Sequence, residues 1–139
     1  MTRARGGTAD DRARPERLAG IPALAAVVAR LRDHHPPASG RLLVGLAGAP
    51  GAGKSTVAAT IAAALPGTAV LPMDGFHLPQ SRLRDLGRRE RMGAPDTFDV
   101  AGFTTLLATL REVDNSGRTV LAPGFDREIE EPVADAVAL

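Results

Sequence analysis

Nine consecutive residues, Gly48-Ala49-Pro50-Gly51-Ala52-Gly53-Lys54-Ser55-Thr56, fit the pattern G-x-x-x-x-G-K-[S/T], in which backbone N–H groups wrap the phosphates of a nucleotide. An anion can approach a backbone that closely only where Cβ atoms are missing, and Gly48, Gly51 and Gly53 meet that need. The helix expected to start near Lys54 turns its partial positive end toward the same phosphates. In this reading Lys54 reaches the β- and γ-phosphates, the Ser55 hydroxyl takes a place on Mg²⁺, and Thr56 continues the helix. A chance match in a chain of this length is below about one in a hundred. Composition adds a second hint: the chain has 17 Lys+Arg residues and Lys54 is the only lysine. A ring of backbone amides admits a compact ammonium on a slim stem better than a planar guanidinium.

A second group capable of chemistry follows. Ala69-Val70-Leu71-Pro72-Met73 reads as a strand that runs into Asp74-Gly75-Phe76-His77. A carboxylate at the carboxyl end of a strand beside a phosphate loop sits where open α/β sheets bind ligands. Asp74 could there accept a proton from an attacking hydroxyl or hold a water on Mg²⁺. The same dipeptide also suits an Asx turn, with Asp74 capping the loop and Gly75 at positive φ, and the residues alone leave both readings open. Arg88, Arg89 and Arg91 could clamp a substrate or phosphate, or simply be solvated with Glu90 among them. His34 and His35 are adjacent, but no third ligand stands at a usable metal spacing.

The elements that must position these groups follow from periodicity. Leu42-Leu43-Val44-Gly45-Leu46-Ala47 predicts a buried strand before the loop, and Val57, Ile61 and Leu65 mark one face of the helix after it. Leu18, Ile21, Leu24, Val28 and Leu31 predict an earlier helix, with Pro22 in its first turn, stopped by His34-His35-Pro36-Pro37. Pro66-Gly67 marks a turn, and Gln80 to Leu86 a short helix. Asp99 is placed to cap a helix whose apolar face is Val100, Phe103, Leu106 or Leu107, Leu110 and Val113, ending at Asn115-Ser116-Gly117. Arg118-Thr119-Val120-Leu121-Ala122 is the third strand candidate, followed by a Pro-Gly loop, Pro123-Gly124-Phe125-Asp126-Arg127. An acidic segment, Glu128-Ile129-Glu130-Glu131-Pro132, and the apolar Val133 to Leu139 finish the chain. The fold class expected is α/β, a parallel sheet of about three strands flanked by helices.

Composition sets the outer bounds. At 139 residues the chain is one domain, and a net charge of +1 argues against nucleic-acid or membrane-surface partners. Absence of cysteine excludes disulfides and thiolate metal sites. Aromatic residues are 3% with no Trp or Tyr, too few for a base-stacking platform. No apolar run reaches the roughly 18 residues of a bilayer span, and the N-terminus lacks a signal-peptide core. A cytoplasmic location is the expectation. Residues 1–17, rich in Arg, Gly, Ala and Asp, read as a flexible tail ahead of a domain covering 18–139.

Four blocks in order, Gly48 to Thr56, Met73-Asp74-Gly75-Phe76-His77, Gly93-Ala94-Pro95-Asp96-Thr97-Phe98-Asp99 and Pro123 to Arg127, resemble the phosphoribulokinase, uridine kinase and bacterial pantothenate kinase superfamily. The resemblance runs from about Leu18 to the last residue, and is nearest to bacterial nucleoside/nucleotide kinase family proteins, some described as sugar kinases of transport operons. It implies a P-loop NTPase fold and an ATP-dependent, Mg²⁺-assisted kinase that phosphorylates a hydroxyl of a nucleoside, sugar or pantothenate-like small molecule. It implies Asp74 as general base and Lys54 as the catalytic lysine, with Ser55 and Asp74 as metal residues. His77, Arg91, Phe98, Phe125 and Arg127 would border the acceptor. Asp-Gly-Phe looks more like pantothenate kinases than the Asp-Ser-Phe of uridine kinases and phosphoribulokinases. Phe125 stands where uridine and pantothenate kinases usually carry Tyr, so a hydrogen bond to either substrate is lost. The family's later Glu-Gly strand and Arg-bearing lid are not in these 139 residues. A truncated member is therefore expected, and a nucleotide-binding fragment without catalytic competence is the alternative function.

Overall fold

The computed structural model describes residues 20–36, 40–112 and 118–139. The expected tail, together with Leu18, Pro37, Val113 and the Asn115-Ser116-Gly117 stop, lies outside the described residues. Helix α1 spans Gly20–Asp33, and α2 Lys54–Ala64. A tight helical turn follows at Met73–Phe76, then the short α3 at Gln80–Asp85 and two more tight turns at Arg89–Arg91 and Pro95–Thr97. Helix α4 runs Val100–Glu112, and strands β1 (Leu121–Asp126) and β2 (Glu131–Ala138) close the order.

The helices form for the reasons their spacing gave. Apolar side chains at Ile21, Leu24 and Val28 recur on one face of α1, and Val28 is buried. Arg30 and Arg32 in its last turn suit the negative end of the helix dipole. Leu31, placed on the same face by periodicity, is 49% exposed, so that face is covered only over its middle. His34 and His35 beyond the helix end each donate a ring N–H to a carbonyl, of Arg30 at 2.7 Å and Gly40 at 2.8 Å. The alanine-rich α2 buries Ile61, with Val57 and Leu65 half-buried beside it. Asp99 caps α4 as expected, its Oδ1 accepting the Gly102 N–H at 2.9 Å. Phe103 sends its ring edge onto Phe76 with centroids 5.1 Å apart, while Val100 is 51% exposed.

The sheet departs from expectation. The described residues hold one sheet, an antiparallel β1-β2 hairpin, where a parallel sheet of about three strands was expected. Residues 42–47 and 69–71 are assigned no secondary structure, and no backbone ladder bond joins them to each other or to β1. A strand needs a neighbour about 4.8 Å away to satisfy its N–H and C=O groups. Leu43, Val44 and Val70 are also 38%, 43% and 37% exposed, so these apolar side chains are not buried as the strand expectation required. They line one side of an open apolar groove of about 650 Å³ with Val28, Ile61, Leu110 and Leu139. The groove includes neither Lys54 nor Asp74, the two residues expected from the sequence to do chemistry.

The third strand lies further along than Arg118 to Ala122 and takes in most of the expected Pro-Gly loop. It reaches Asp126, turns over 127–130, and returns as β2 through the acidic and apolar stretch assigned no element from the sequence. Pro123 is accommodated because the register breaks between Ala122 and Gly124, so the missing N–H falls at a bulge. The Asp126 carboxylate accepts the Glu128 N–H at 2.8 Å, an Asx turn that reverses the chain.

Candidate functional site

In the glycine-rich segment 48–56, two residues have a backbone conformation that favours glycine. Gly51 and Gly53 have φ of 73° and 80°, a left-handed conformation that a side chain would strain. Gly48 is less constrained than its place in the pattern implies, because a Cβ there would meet the Lys54 stem at 3.8 Å and the Ala52 Cβ at 3.9 Å, both ordinary contacts. Within the loop the Ala52 amide donates to the Ala49 carbonyl at 3.2 Å, and Val57 is the first residue whose amide bonds back, to Gly53 at 3.0 Å. The amides of Gly51, Gly53, Lys54, Ser55 and Thr56 have no acceptor among the described residues. Unpaired donors at a helix start carry the positive end of its dipole. Lys54, meanwhile, folds over the loop, its Nζ donating to the Gly48 and Ala49 carbonyls at 3.0 and 2.9 Å. Free amides, left-handed glycines and one ammonium are the donor set that phosphate oxygens fit. Ser55, exposed in the first turn of α2, makes no side-chain hydrogen bond among the described residues.

The other three blocks form one cluster. The 76–78 segment lies antiparallel to 97–99: the Asp99 amide donates to the Phe76 carbonyl at 2.7 Å, the Leu78 amide donates to the Thr97 carbonyl at 2.9 Å, and His77 faces Phe98. Thr97 is fully buried, its hydroxyl donating to the Ala94 carbonyl at 2.7 Å and accepting from the Gly93 amide at 3.1 Å. From the other side β1 presses on the Met73–Phe76 turn so closely that a Cβ on Gly75 would run into the Pro123 carbonyl. This, and not positive φ, is why glycine stands at 75: its φ is ordinary.

The Asx-turn alternative for Asp74 also fails on geometry. The Asp74 carboxylate caps no backbone amide and instead accepts from the Arg127 guanidinium at 2.9 Å, with the two side chains 48% and 79% exposed. An ion pair this exposed is worth about 0–1 kcal/mol, so it orients the carboxylate more than it stabilises the fold. Beside it the His77 ring stacks on Phe98 with centroids 4.0 Å apart and meets Phe125 at 5.4 Å. His77 Nδ1 is buried without a partner.

Of the residues expected to border an acceptor, the structure brings His77, Phe98 and Phe125 together as one group of rings and pairs Arg127 with Asp74. Arg91 is held apart from them on Asp96, at 2.8 Å, where Arg88 also binds at 3.2 Å. Arg89 is engaged by Glu130 at 2.8 Å. No bond joins Lys54 to Asp74; the cradle and the cluster each satisfy their own charges. Gln80, Glu130 and Glu131, which link α3 to the hairpin, were not singled out from the sequence. An acidic run reads as solvated surface unless the hairpin that aims it inward is known; Asp126 followed by Glu128 at Asx-turn spacing was the one available sign of that hairpin.

No helix among the described residues is long and apolar enough to cross a membrane. No family model matches the chain. It is similar to a Schizosaccharomyces pombe protein named "putative uridine kinase", with 36% identity over 109 residues, 71% of this chain and 46% of that one. A pantothenate kinase of a Nocardioides species is 31% identical over 111 residues, 76% of this chain and 32% of the relative. Among solved structures, a "putative fructose transport system kinase" from a Silicibacter species superposes with a TM-score of 0.75 at 40% identity, over 87% of this chain and 58% of that one. The chain spans about half the length, or less, of the curated relatives it matches.

Proposed function

The chain belongs to the phosphoribulokinase, uridine kinase and pantothenate kinase superfamily of P-loop kinases, and from that premise we propose that it transfers the γ-phosphate of ATP to a hydroxyl of a small molecule. The acceptor class is a nucleoside, a sugar or a pantothenate-like alcohol. The observation that carries the reading is the row of unpaired amides from Gly53 to Thr56 at the start of α2, with Lys54 folded beside them. In this reading those amides, with the backbone of 48–52, hold the ATP phosphates, and Lys54 leaves the Gly48 and Ala49 carbonyls to offset their charge. Bound ATP with Mg²⁺ supplies the transferable phosphoryl group. Ser55 is the residue on the chain that would hold the metal, with Asp74 as a second candidate.

Asp74 receives the proton of the acceptor hydroxyl, so that the nucleophile's charge develops only as the new bond forms. Arg127 fixes which carboxylate oxygen is free to do so, because it occupies Oδ2. Phe98, His77 and Phe125 wall the acceptor side in this reading. Phe125 brings no hydroxyl of its own. The test is to incubate the protein with ATP, Mg²⁺ and a panel of nucleosides, sugars and pantothenate, and to follow ADP release. Release dependent on one class of acceptor supports the reading. ATP-induced thermal stabilisation with no transfer to any acceptor supports instead a nucleotide-binding fragment without turnover, and ADP release independent of every acceptor supports a hydrolytic ATPase.

A further inference from the structure

The cluster around Asp74 is held by a second, buried connection that the kinase reading does not use. Gln80, six residues beyond Asp74 at the start of α3, is only 6% exposed. Its Nε2 donates to the Glu130 carbonyl at 2.9 Å and contacts the Met92 sulfur at 3.4 Å. Its backbone N–H is shared by both oxygens of the Glu131 carboxylate, at 3.2 and 3.3 Å. Glu130 is thereby held at φ 52°, a left-handed conformation that a residue with a Cβ adopts only when its surroundings compensate, and Arg89 grips its carboxylate as well.

These bonds close one end of the hairpin turn; Arg127, at the other end of the same turn, is the partner of Asp74. Two chain segments far apart in sequence are therefore joined twice, by Asp74 to Arg127 and by Gln80 to Glu130 and Glu131. Packing alone does not account for Gln80, because its Oε1 is buried with no partner. A methionine of similar volume would fill the space without burying an unpaired oxygen. What only glutamine or a like donor supplies is the bond to the Glu130 carbonyl.

We propose that Gln80 is a positioning residue that, by holding Glu130 and Glu131, sets where the hairpin turn presents Arg127 to Asp74, and so sets the orientation of the Asp74 carboxylate toward the acceptor. The catalytic part of this statement rests on the kinase reading of Asp74; the structural part does not.

Gln80→Met keeps the volume and removes the donor. Hydrogen exchange of the amides at 127–131 then rises about tenfold or more, while those of α2 are unchanged. On whichever acceptor the panel identifies, kcat/KM falls about tenfold with the KM for ATP unchanged, and in an Arg127→Ala background Gln80→Met lowers it less than about twofold, since the residue through which it acts is already gone. A merely structural glutamine would give the same loss in both backgrounds, and that result overturns the proposal. So does unaltered exchange at 127–131, whether or not any acceptor is phosphorylated. A panel with no acceptor defeats the kinase reading alone, leaving exchange to decide on Gln80. Should Gln80→Met fail to fold, Glu131→Ala, at a half-buried position, removes the acceptor of the Gln80 N–H and must accelerate the same amides; unchanged exchange there equally overturns the proposal.

Discussion

A single methyl group at position 75 tests the architecture of the cluster. In Gly75→Ala the added Cβ overlaps the carbonyl of Pro123 and comes within 3.1 Å of the Gly124 Cα, and both obstacles are backbone. Neither can rotate away as a side-chain tip would, so the Met73–Phe76 turn and β1 must separate by about an ångström or the turn must deform. Over-packing of this kind costs about 1–3 kcal/mol. For a domain of this size that lowers Tm by roughly 3–5 °C per kcal/mol. The same displacement lengthens the reach from Arg127 to Asp74, which lies next to the substituted residue. Gly45→Ala is the matched control, because it adds the same methyl at a position with nothing within 4 Å and no left-handed φ. Thermal and urea denaturation of both variants should show a loss for Gly75→Ala and a change within about 0.5 kcal/mol for Gly45→Ala. If Gly75→Ala is as stable as its parent, the close contact between the turn and β1 is not a feature of the folded protein, and the placing of Arg127 loses its basis.

Two further outcomes follow from the same geometry. Lys54→Ala removes the only ammonium at the cradle and should weaken ATP binding by about 10- to 100-fold, as read by ATP-dependent thermal shift, with Lys54→Arg failing to restore it. Thr97→Val keeps the shape of a fully buried side chain but leaves the Gly93 amide without its acceptor, at a cost of about 1–3 kcal/mol in urea denaturation.

How much of this was legible in the sequence varied with the range of the interactions involved. The start of α2 at Lys54 and the cap at Asp99 are set by contacts within a few residues, and spacing alone located them. One of the two readings left open for Asp74-Gly75 gave Gly75 a positive φ, whereas glycine is imposed there by Pro123, 48 residues further along. The hairpin was missed for a related reason. Pro123-Gly124 marks a loop in local terms, and only pairing with β2 turns it into a bulge inside a strand. Apolar runs at 42–47 and 69–73 met the composition of buried strands, but composition states only that such a segment can be covered, and the described residues place no ladder partner beside it. At the candidate site, Asp74 and the ring residues His77, Phe98 and Phe125 came from motif blocks. Their arrangement did not: that Arg127 reaches Asp74 and that Arg91 is taken up by Asp96 depend on side-chain directions across segments.

The most direct measurement compares phosphoryl transfer by the parent protein and by Asp74→Asn in a single turnover with γ-labelled ATP, Mg²⁺ and the acceptor the panel identifies. The substitution keeps the shape of the side chain and a hydrogen bond acceptor for Arg127, and removes the base. Transfer should fall by about 10²–10⁴-fold while the ATP-induced thermal shift persists, because the cradle's donors lie on a different segment. Equal rates of transfer in the two proteins would contradict the assignment of Asp74 and, with it, the reading of the cluster as the acceptor site.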